Sequence, residues 1–439
     1  MSPELLGAVM LTLMILVIFV GFPIAFTLLL LALAFGYVGL GDTVFYLMVF
    51  QTIGMMKEEI LAAVPLFIFM GFITEQSGLM ERLFRALQLV MAPLRGSLYV
   101  AVILTATIFA MATGIVGAAV TVLGIMAAPI MMKSGYSPRL CAGSIAAGGT
   151  LGILVPPSVM LIVMGPVLGV SVAKLYAAAL GPGFLLAGLY IAYTLIRSYL
   201  NPSIGPAVPP EERATSMAML AREVVVGVLP LALLISCTLG SILGGLATPT
   251  EAASVGASGA MLLGFAYRRL TFRGIKQAAI STLITSSMVL FLAVASNVFG
   301  AVFARLGSAT VITNTMLGLP VPAWGMLLIV MAVIFILGWP FEWPAIVLVF
   351  LPIFYPVIAA MKYDPTWFGA LIAVNLQTAY LSPPVAMSAY YLRSVVPQWP
   401  LSTIYRGMAD FMIIQIIALF LVMMFPQIAL WLPNFLFGP

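Results

Sequence analysis

Between Glu4 and Asp42 the chain carries no charged side chain, and apolar runs of comparable or shorter length recur to its end. Inside a bilayer such runs must satisfy every backbone amide and carbonyl internally, which leaves helices or a closed barrel. These runs are continuously apolar rather than alternating, and each approaches the roughly 20 residues that one helical crossing needs. With 63% of 439 residues hydrophobic and 7% charged, the chain is an all-α polytopic membrane protein without a sizeable aqueous domain.

The polar minority narrows the chemistry. No histidine is present, so Ser/His/Asp and Cys/His sets and the HExxH motif are excluded. Cys141 and Cys237 both fall in apolar segments, which speaks against a disulfide framework or a thiolate metal site. Met-Ser-Pro-Glu has no basic n-region, and the first apolar run meets a second directly, so the start reads as a retained helix rather than a cleaved leader. The net charge of +5 is scattered between apolar runs, which points to topology rather than nucleic acid.

Full crossings are expected near 4–21, 23–41, 60–78, 138–170, 181–200, 224–246, 250–267, 280–304, 365–396 and 409–434. Two longer regions, 97–133 and 322–361, are broken centrally by "ATGIVG" and "GWPFEWP" and read as re-entrant hairpins. Amphipathic stretches near 43–58, 79–95 and 308–318 suit the interface. With the N-terminus outside, only Lys57, Lys174, Arg305 and Lys362 of the 18 basic residues fall on the outer side. That bias places both termini in the periplasm. The polar stretch "NPSIGPAVPPEERATS" (201–216) opens a cytoplasmic linker, 201–221, between a first half, 1–200, and a second, 222–439.

Shifted by 227 residues, "GYSPRLCAGSIAAGGTLGILVPPSV" (135–159) overlies "KYDPTWFGALIAVNLQTAYLSPPVA" (362–386) with seven of 25 positions identical, both diprolines included. The hairpin tips pair in the same register. Five crossings per half is odd, so the halves enter the membrane in opposite senses, as inverted repeats. Each repeat then holds a hairpin and a broken helix. The breaks are read at Gly148–Pro157 and Asn375–Pro384, where freed carbonyls and half-helix ends can meet ions.

Candidate ion- or substrate-binding residues follow from that pattern. In the first half they are Thr113 and Gly114 at the tip, then Gly148, Gly149, Thr150, Pro156, Pro157 and Ser158. Glycine allows close backbone approach, hydroxyls add oxygens, and proline frees a carbonyl one turn back. In the second half they are Asn375, Gln377, Thr378, Ser382, Pro383 and Pro384. Neutral oxygens suit a hard cation such as sodium, with sites expected around Gly148, Thr150, Asn375 and Ser382. The same residues could equally be a proline kink with interhelical hydrogen-bond glue. Glu342, between Trp339 and Trp343 at the second tip, is either an intramembrane functional carboxylate or an interfacial one. Glu251 in "ATPTEAASVG" (247–256) fits a helix start better than chemistry, although the string is similar to the EAA loop of ABC permeases.

"PLFIFMGFITEQSG" (65–78), "MKSGYSP" (132–138), "GGTLGILVPPSV" (148–159), "GLATPTEAASVGA" (245–257) and the block 375–386 together resemble the signature stretches of the large (DctM-like) permease subunit of tripartite ATP-independent periplasmic (TRAP) transporters. The resemblance implies a sodium-driven elevator in a bacterial inner membrane that imports an organic acid anion. It implies no cofactor beyond sodium as coupling ion. A separate small four-helix membrane subunit and a periplasmic solute-binding protein are the implied partners, and no extra helices for a fused small subunit are evident. Two departures stand out: "ATGIVGAAV" where a serine-rich tip is common, and Glu342 near a usual aspartate. The alternatives are a stand-alone carboxylate symporter, a proton-coupled carrier using Glu342, and an ABC permease.

Overall fold

The computed structural model describes residues 2–207, 216–383 and 386–438, and no strand occurs among them. Parts of the linker, including Arg213, and Pro384 lie outside the described residues.

The chain opens with α1 (Pro3–Phe19), α2 (Ile24–Leu40) and α3 (Thr43–Met56). Next come α4 (Glu59–Gln76), which starts with a 3-10 turn, and α5 (Leu79–Met91). Then α6 (Ser97–Thr113) and α7 (Val116–Lys133) form a helical hairpin whose arms pack on each other. Helices α8 (Pro138–Leu154) and α9 (Val159–Leu168) are bent by 42° at their break, and α10 (Val172–Leu200) ends the first half. Beyond the linker lie α11 (Met217–Leu243), α12 (Pro249–Ala266), α13 (Phe272–Arg305) and α14 (Ser308–Leu317). The second hairpin region is α15 (Ala323–Leu337) and α16 (Trp343–Ala360), joined across Gly338–Glu342. It leads to α17 (Pro365–Leu376), α18 (Thr378–Leu381), α19 (Met387–Val395), α20 (Leu401–Met424) and α21 (Gln427–Phe437).

Seven of these, α4, α7, α10, α11, α13, α16 and α20, are each long and apolar enough to cross a bilayer, and the bent pair α8–α9 makes an eighth. The protein is therefore a multi-pass membrane protein, but among the described residues ten crossings by length and composition are not reached. Helices α1 and α2 stop at 17 residues each because Gly21–Pro23 and Gly41 end them. The expected crossing at 250–267 is α12, whose glycines and serines lower its apolarity. Those small residues serve packing: a Cβ on Gly256 would lie 2.5 Å from both Met70 Sδ and Thr238 Cγ2. The stretch 365–396 forms three helices, interrupted at Gln377 and after Leu381.

Two groups of helices pack within themselves. In one, α4 packs on α12 and α13, and α13 on α2 and α3. In the other, α8 sits at the centre against α6, α7, α10, α19 and α20. The outer face is apolar, with Phe26, Leu30, Phe45, Phe50, Leu283 and Ile284 exposed, as lipid requires and water would not allow. Helix α8 of the first half crosses α20 of the second where Gly143 meets Gly407. A Cβ on Gly407 would lie 2.0 Å from Arg139 O and 2.9 Å from Gly143 N. One turn along, Arg139 and Asp410 form an ion pair at 2.6 Å across the same crossing.

Candidate functional site

Pro156 and Pro157 have no N–H, so the carbonyls of Gly152 and Ile153 lose their helical donors. The hydroxyl of fully buried Ser158 donates to Ile153 O at 2.6 Å. The Gly152 carbonyl faces the first hairpin tip, where Gly114 turns the chain at a φ of +63° that other residues rarely adopt. A Cβ there would lie 3.3 Å from Pro157 O and 3.8 Å from Gly152 O, so the tip is seated on the break.

Helix α8 itself runs unbroken to Leu154. The interruption is Val155–Ser158, shorter than the sequence suggests, and Gly148, Gly149 and Thr150 are helical. The two glycines admit the hairpin arms instead. A Cβ on Gly148 would meet Ala106 of α6 at 3.0 Å, and one on Gly149 would meet Val120 Cγ2 of α7 at 2.3 Å.

At the second break, Thr378 donates to Asn375 O at 2.6 Å and Ser382 to Thr378 O at 2.7 Å. Ser382 also approaches Met412 Sδ at 3.2 Å. Asn375 is helical and donates from Nδ2 to Met331 O at 2.8 Å, leaving its Oδ1 unpartnered. Pro383 is exposed just beyond. Thr113 donates to Phe109 O at 3.1 Å. Each of these hydroxyls spends its proton on its own backbone, so its lone pairs remain free to accept a donor or a cation.

Thr150 and Gln377 meet, whereas no hydrogen bond joins Thr150 to Asn375 or Ser382. Thr150 Oγ1 lies 2.8 Å from Ala147 O and 3.2 Å from Gln377 Oε1, and Gln415 Nε2 donates to it at 3.4 Å. One hydroxyl proton cannot serve both carbonyl oxygens. With the Gln377 amide turned end for end its NH2 donates to Thr150, and its oxygen becomes the unpartnered atom. Either way a neutral polar hub sits in an apolar interior. Thr150, Gln377, Gln415 and Tyr190 are all 0% exposed. Tyr190 OH, Gln415 Oε1 and one end of Gln377 lack protein partners. Thr150 and Gln377 stand 227 positions apart.

The two hairpin tips converge elsewhere. A cavity of about 320 Å³ is lined by Gly114 to Gly117 of the first tip and Glu342 to Pro344 of the second. Ile153 and Val159 flank it from the α8–α9 break, Tyr380 and Tyr391 from α18 and α19, and Ile68, Thr285 and Met288 from α4 and α13. Helix α4 reaches the tip at Gly71, where a Cβ would lie 2.8 Å from Thr113 O. A second cavity of about 470 Å³ lies further along α13, beside Ala293, Ser296, Gly300 and Ala304.

Glu342 is thus exposed to a cavity between buried Phe341 and Trp343. Glu251 does what its position suggests: Thr248 N and Oγ1 donate to its carboxylate at 2.8 and 2.9 Å, a capping box that starts α12. No group of three or more His, Cys, Asp or Glu fit to hold a metal occurs among the described residues. A cation here would rely on hydroxyl, amide and carbonyl oxygens. Sequence reasoning missed Gln415, Tyr190, Tyr380 and Tyr391. The available signal was a lone glutamine in "MIIQIIALF" (412–420), and tyrosines that an apolar run does not need.

The chain matches the family model described as "Tripartite ATP-independent periplasmic transporter, DctM component" over residues 11–428. It is 30% identical to the C4-dicarboxylate TRAP transporter large permease protein DctM of Pseudomonas aeruginosa, over 86% of each chain. It is also 30% identical to the sialic acid TRAP transporter large permease protein SiaM of Vibrio cholerae, over 96% of this chain and 97% of that one. Identity to the ectoine/5-hydroxyectoine TRAP transporter large permease protein UehC of Ruegeria pomeroyi is 29%, over 97% and 98%. Among solved structures, the fold is similar to the YdaH transporter of Alcanivorax borkumensis, with TM-score 0.66, 16% identity and 99% of each chain covered.

Proposed function

The chain belongs to the DctM-component family of TRAP transporters, and from that premise we propose that it is the sodium-coupled large permease subunit of an importer for a small organic acid. Its solute enters the cavity between the two hairpin tips. The observation that carries this reading is convergence: both tips and the first helix break, which the sequence spaces over more than 200 residues, line one cavity against α4 and α13. The cavity's walls include α4 and α13 of one packing group and α7 and α19 of the other, so sliding one group past the other would carry the solute across, as an elevator does. Contact between Thr150 and Gln377, separated by the repeat offset of 227, supports inverted repeats, because counterparts touch only near the axis that relates them. Sodium is held by neutral oxygens near the breaks, around Gly148, Thr150 and Asn375 in the helices leading to them and Ser382 at the second, with Pro156, Pro157, Thr378 and Pro383 shaping them. A small four-helix membrane subunit and a periplasmic solute-binding protein complete the system in the inner membrane, with both termini of this chain periplasmic.

The relatives' names span dicarboxylates, a sialic acid and ectoines, so the family does not fix the solute. The first test needs none. Thermal stability of the purified chain is compared in sodium and in equimolar potassium or choline, for wild type, Thr150→Ala and Asn375→Ala. A cation at 100 times its dissociation constant stabilises by about 2.7 kcal/mol, a clear melting shift. Sodium-specific stabilisation that either substitution abolishes is the expected result. Equal behaviour in sodium and potassium would remove sodium coupling and leave proton coupling through Glu342.

A further inference from the structure

The cavity between the tips has an unusual lining for a carrier of anions. Glu342 is the one carboxylate among its lining residues, which include no lysine or arginine. The same carboxylate also borders two neighbouring spaces, one of about 20 Å³ and a larger one of about 550 Å³, again with no basic neighbour. Arg139–Asp410 is the ion pair found among the described residues, and the Glu342 carboxylate takes part in neither an ion pair nor a hydrogen bond. A solute carboxylate placed beside it would meet a like charge in a poorly solvated space. The remaining walls are aromatic: Trp343, Tyr380 and Tyr391. Tyr391 is fixed from below, since a Cβ on Gly117 would touch its ring at 3.1–3.4 Å. Aromatic faces with a carboxylate attract ammonium, quaternary ammonium and amidinium groups.

The first tip's wall, beside Tyr391, has the other sign. Helix α7 begins at Val116 with no side chain capping its first amides, and Ile115, Val116 and Gly117 all line the cavity. Over 18 residues its dipole leaves partial positive charge at that end, where a carboxylate is stabilised. The second tip's helix also starts here, but its own Glu342 stands at that N-terminus.

We infer that the solute is a small zwitterion, its positive group held by Glu342, Trp343, Tyr380 and Tyr391 and its carboxylate by the start of α7. This rests on the tip cavity being the solute site, as proposed above, and narrows the organic acid to one bearing a cation.

The test uses the purified full-length chain and three pairs of matched probes. Glycine betaine is set against 3,3-dimethylbutanoate, β-alanine against butanoate, and guanidinoacetate against ureidoacetate, with succinate as dianion. Each pair differs chiefly in the positive charge. The readout is the probe concentration giving half the maximal melting shift, in sodium. At least one zwitterion should act at a tenfold or lower concentration than its partner and than succinate. Glu342→Gln should compress that ratio to within about twofold, Glu342→Asp should preserve it, and Tyr391→Leu should weaken the zwitterion where Tyr391→Phe does not. The inference is overturned if no zwitterion gains tenfold over its partner, whether both bind alike or neither binds, or if Glu342→Gln leaves the ratio intact. The sodium shift measured alongside separates the two readings. If it persists while the charge preference is absent, only the zwitterion fails; if wild type shows none, sodium coupling fails. A Glu342→Gln protein that elutes normally and keeps its sodium shift is folded, so its ratio is informative.

Discussion

Replacing Thr150 by valine removes one hydroxyl from a fully buried hub while keeping its volume. Ala147 O keeps its helical role, but Gln415 Nε2 loses the acceptor at 3.4 Å and Gln377 loses its neighbour at 3.2 Å. A stranded buried polar group costs about 1–3 kcal/mol, so two partly stranded amides put the loss at about 2–4 kcal/mol. Gln415→Leu alone removes an amide whose Oε1 already lacks a partner, and the exchange of that burden for a buried leucine should cost no more than about 1–2 kcal/mol. In the leucine background Thr150→Val strands one amide fewer. The double variant should therefore be at least about 1 kcal/mol more stable than the sum of the single losses. Reversible unfolding in mixed micelles, followed by tryptophan fluorescence across the four proteins, measures that coupling. Additivity within about 0.5 kcal/mol would show that the three side chains do not act as a unit, and the hub would dissolve into separate packing residues.

Gly407→Ala should cost about 1–3 kcal/mol or more by forcing α8 and α20 apart at the Arg139 carbonyl, read in the same unfolding assay. Gly188→Ala, in α10 with nothing within 4 Å of its Cβ position, should be neutral or stabilising by about 0.5–1 kcal/mol. Thr248→Ala opens the capping box of α12 and should lower stability by about 1 kcal/mol, with amide exchange rising first at residues 250–252. Gly71→Val pushes a side chain against the Thr113 backbone, so a reconstituted importer should lose uptake while the purified variant still elutes as a folded species.

Hydropathy made the helices legible because lipid leaves the backbone few options, and "ATGIVG" and "GWPFEWP" gave both interruptions that became α6–α7 and α15–α16. Exact breaks were less legible. Two glycines before a diproline look like unwinding, yet Gly148 and Gly149 stay helical because neighbouring arms need the room, and only the prolines interrupt. Thr150 and Gln377 could be found by their register. Gln415 could not be placed beside them, since nothing local to α20 says which helix it faces. The aromatic walls were hidden for a related reason: Tyr380 and Tyr391 read as ordinary members of an apolar run until Trp343 and Glu342 arrive from another part of the chain.

Helix α13 has a length that matters mechanically. Its 34 residues rise about 51 Å at 1.5 Å each, against a hydrocarbon slab of about 30 Å. It must lean steeply or project beyond the slab. The tip cavity touches it at Thr285, Met288 and Val289, and the larger cavity at Ala293, Ser296, Gly300 and Ala304. Those four lie at helical spacing and carry almost no side chain, so they form a small-residue strip, with Asn297, Phe299 and Phe303 beside it on the same cavity. From Val289 at the tip cavity to Gly300 on the strip the helix climbs about 16 Å, roughly half the slab. On the proposed elevator reading, a neighbour resting on it meets a bearing surface rather than a socket, and its resting height is set by the ends of that track.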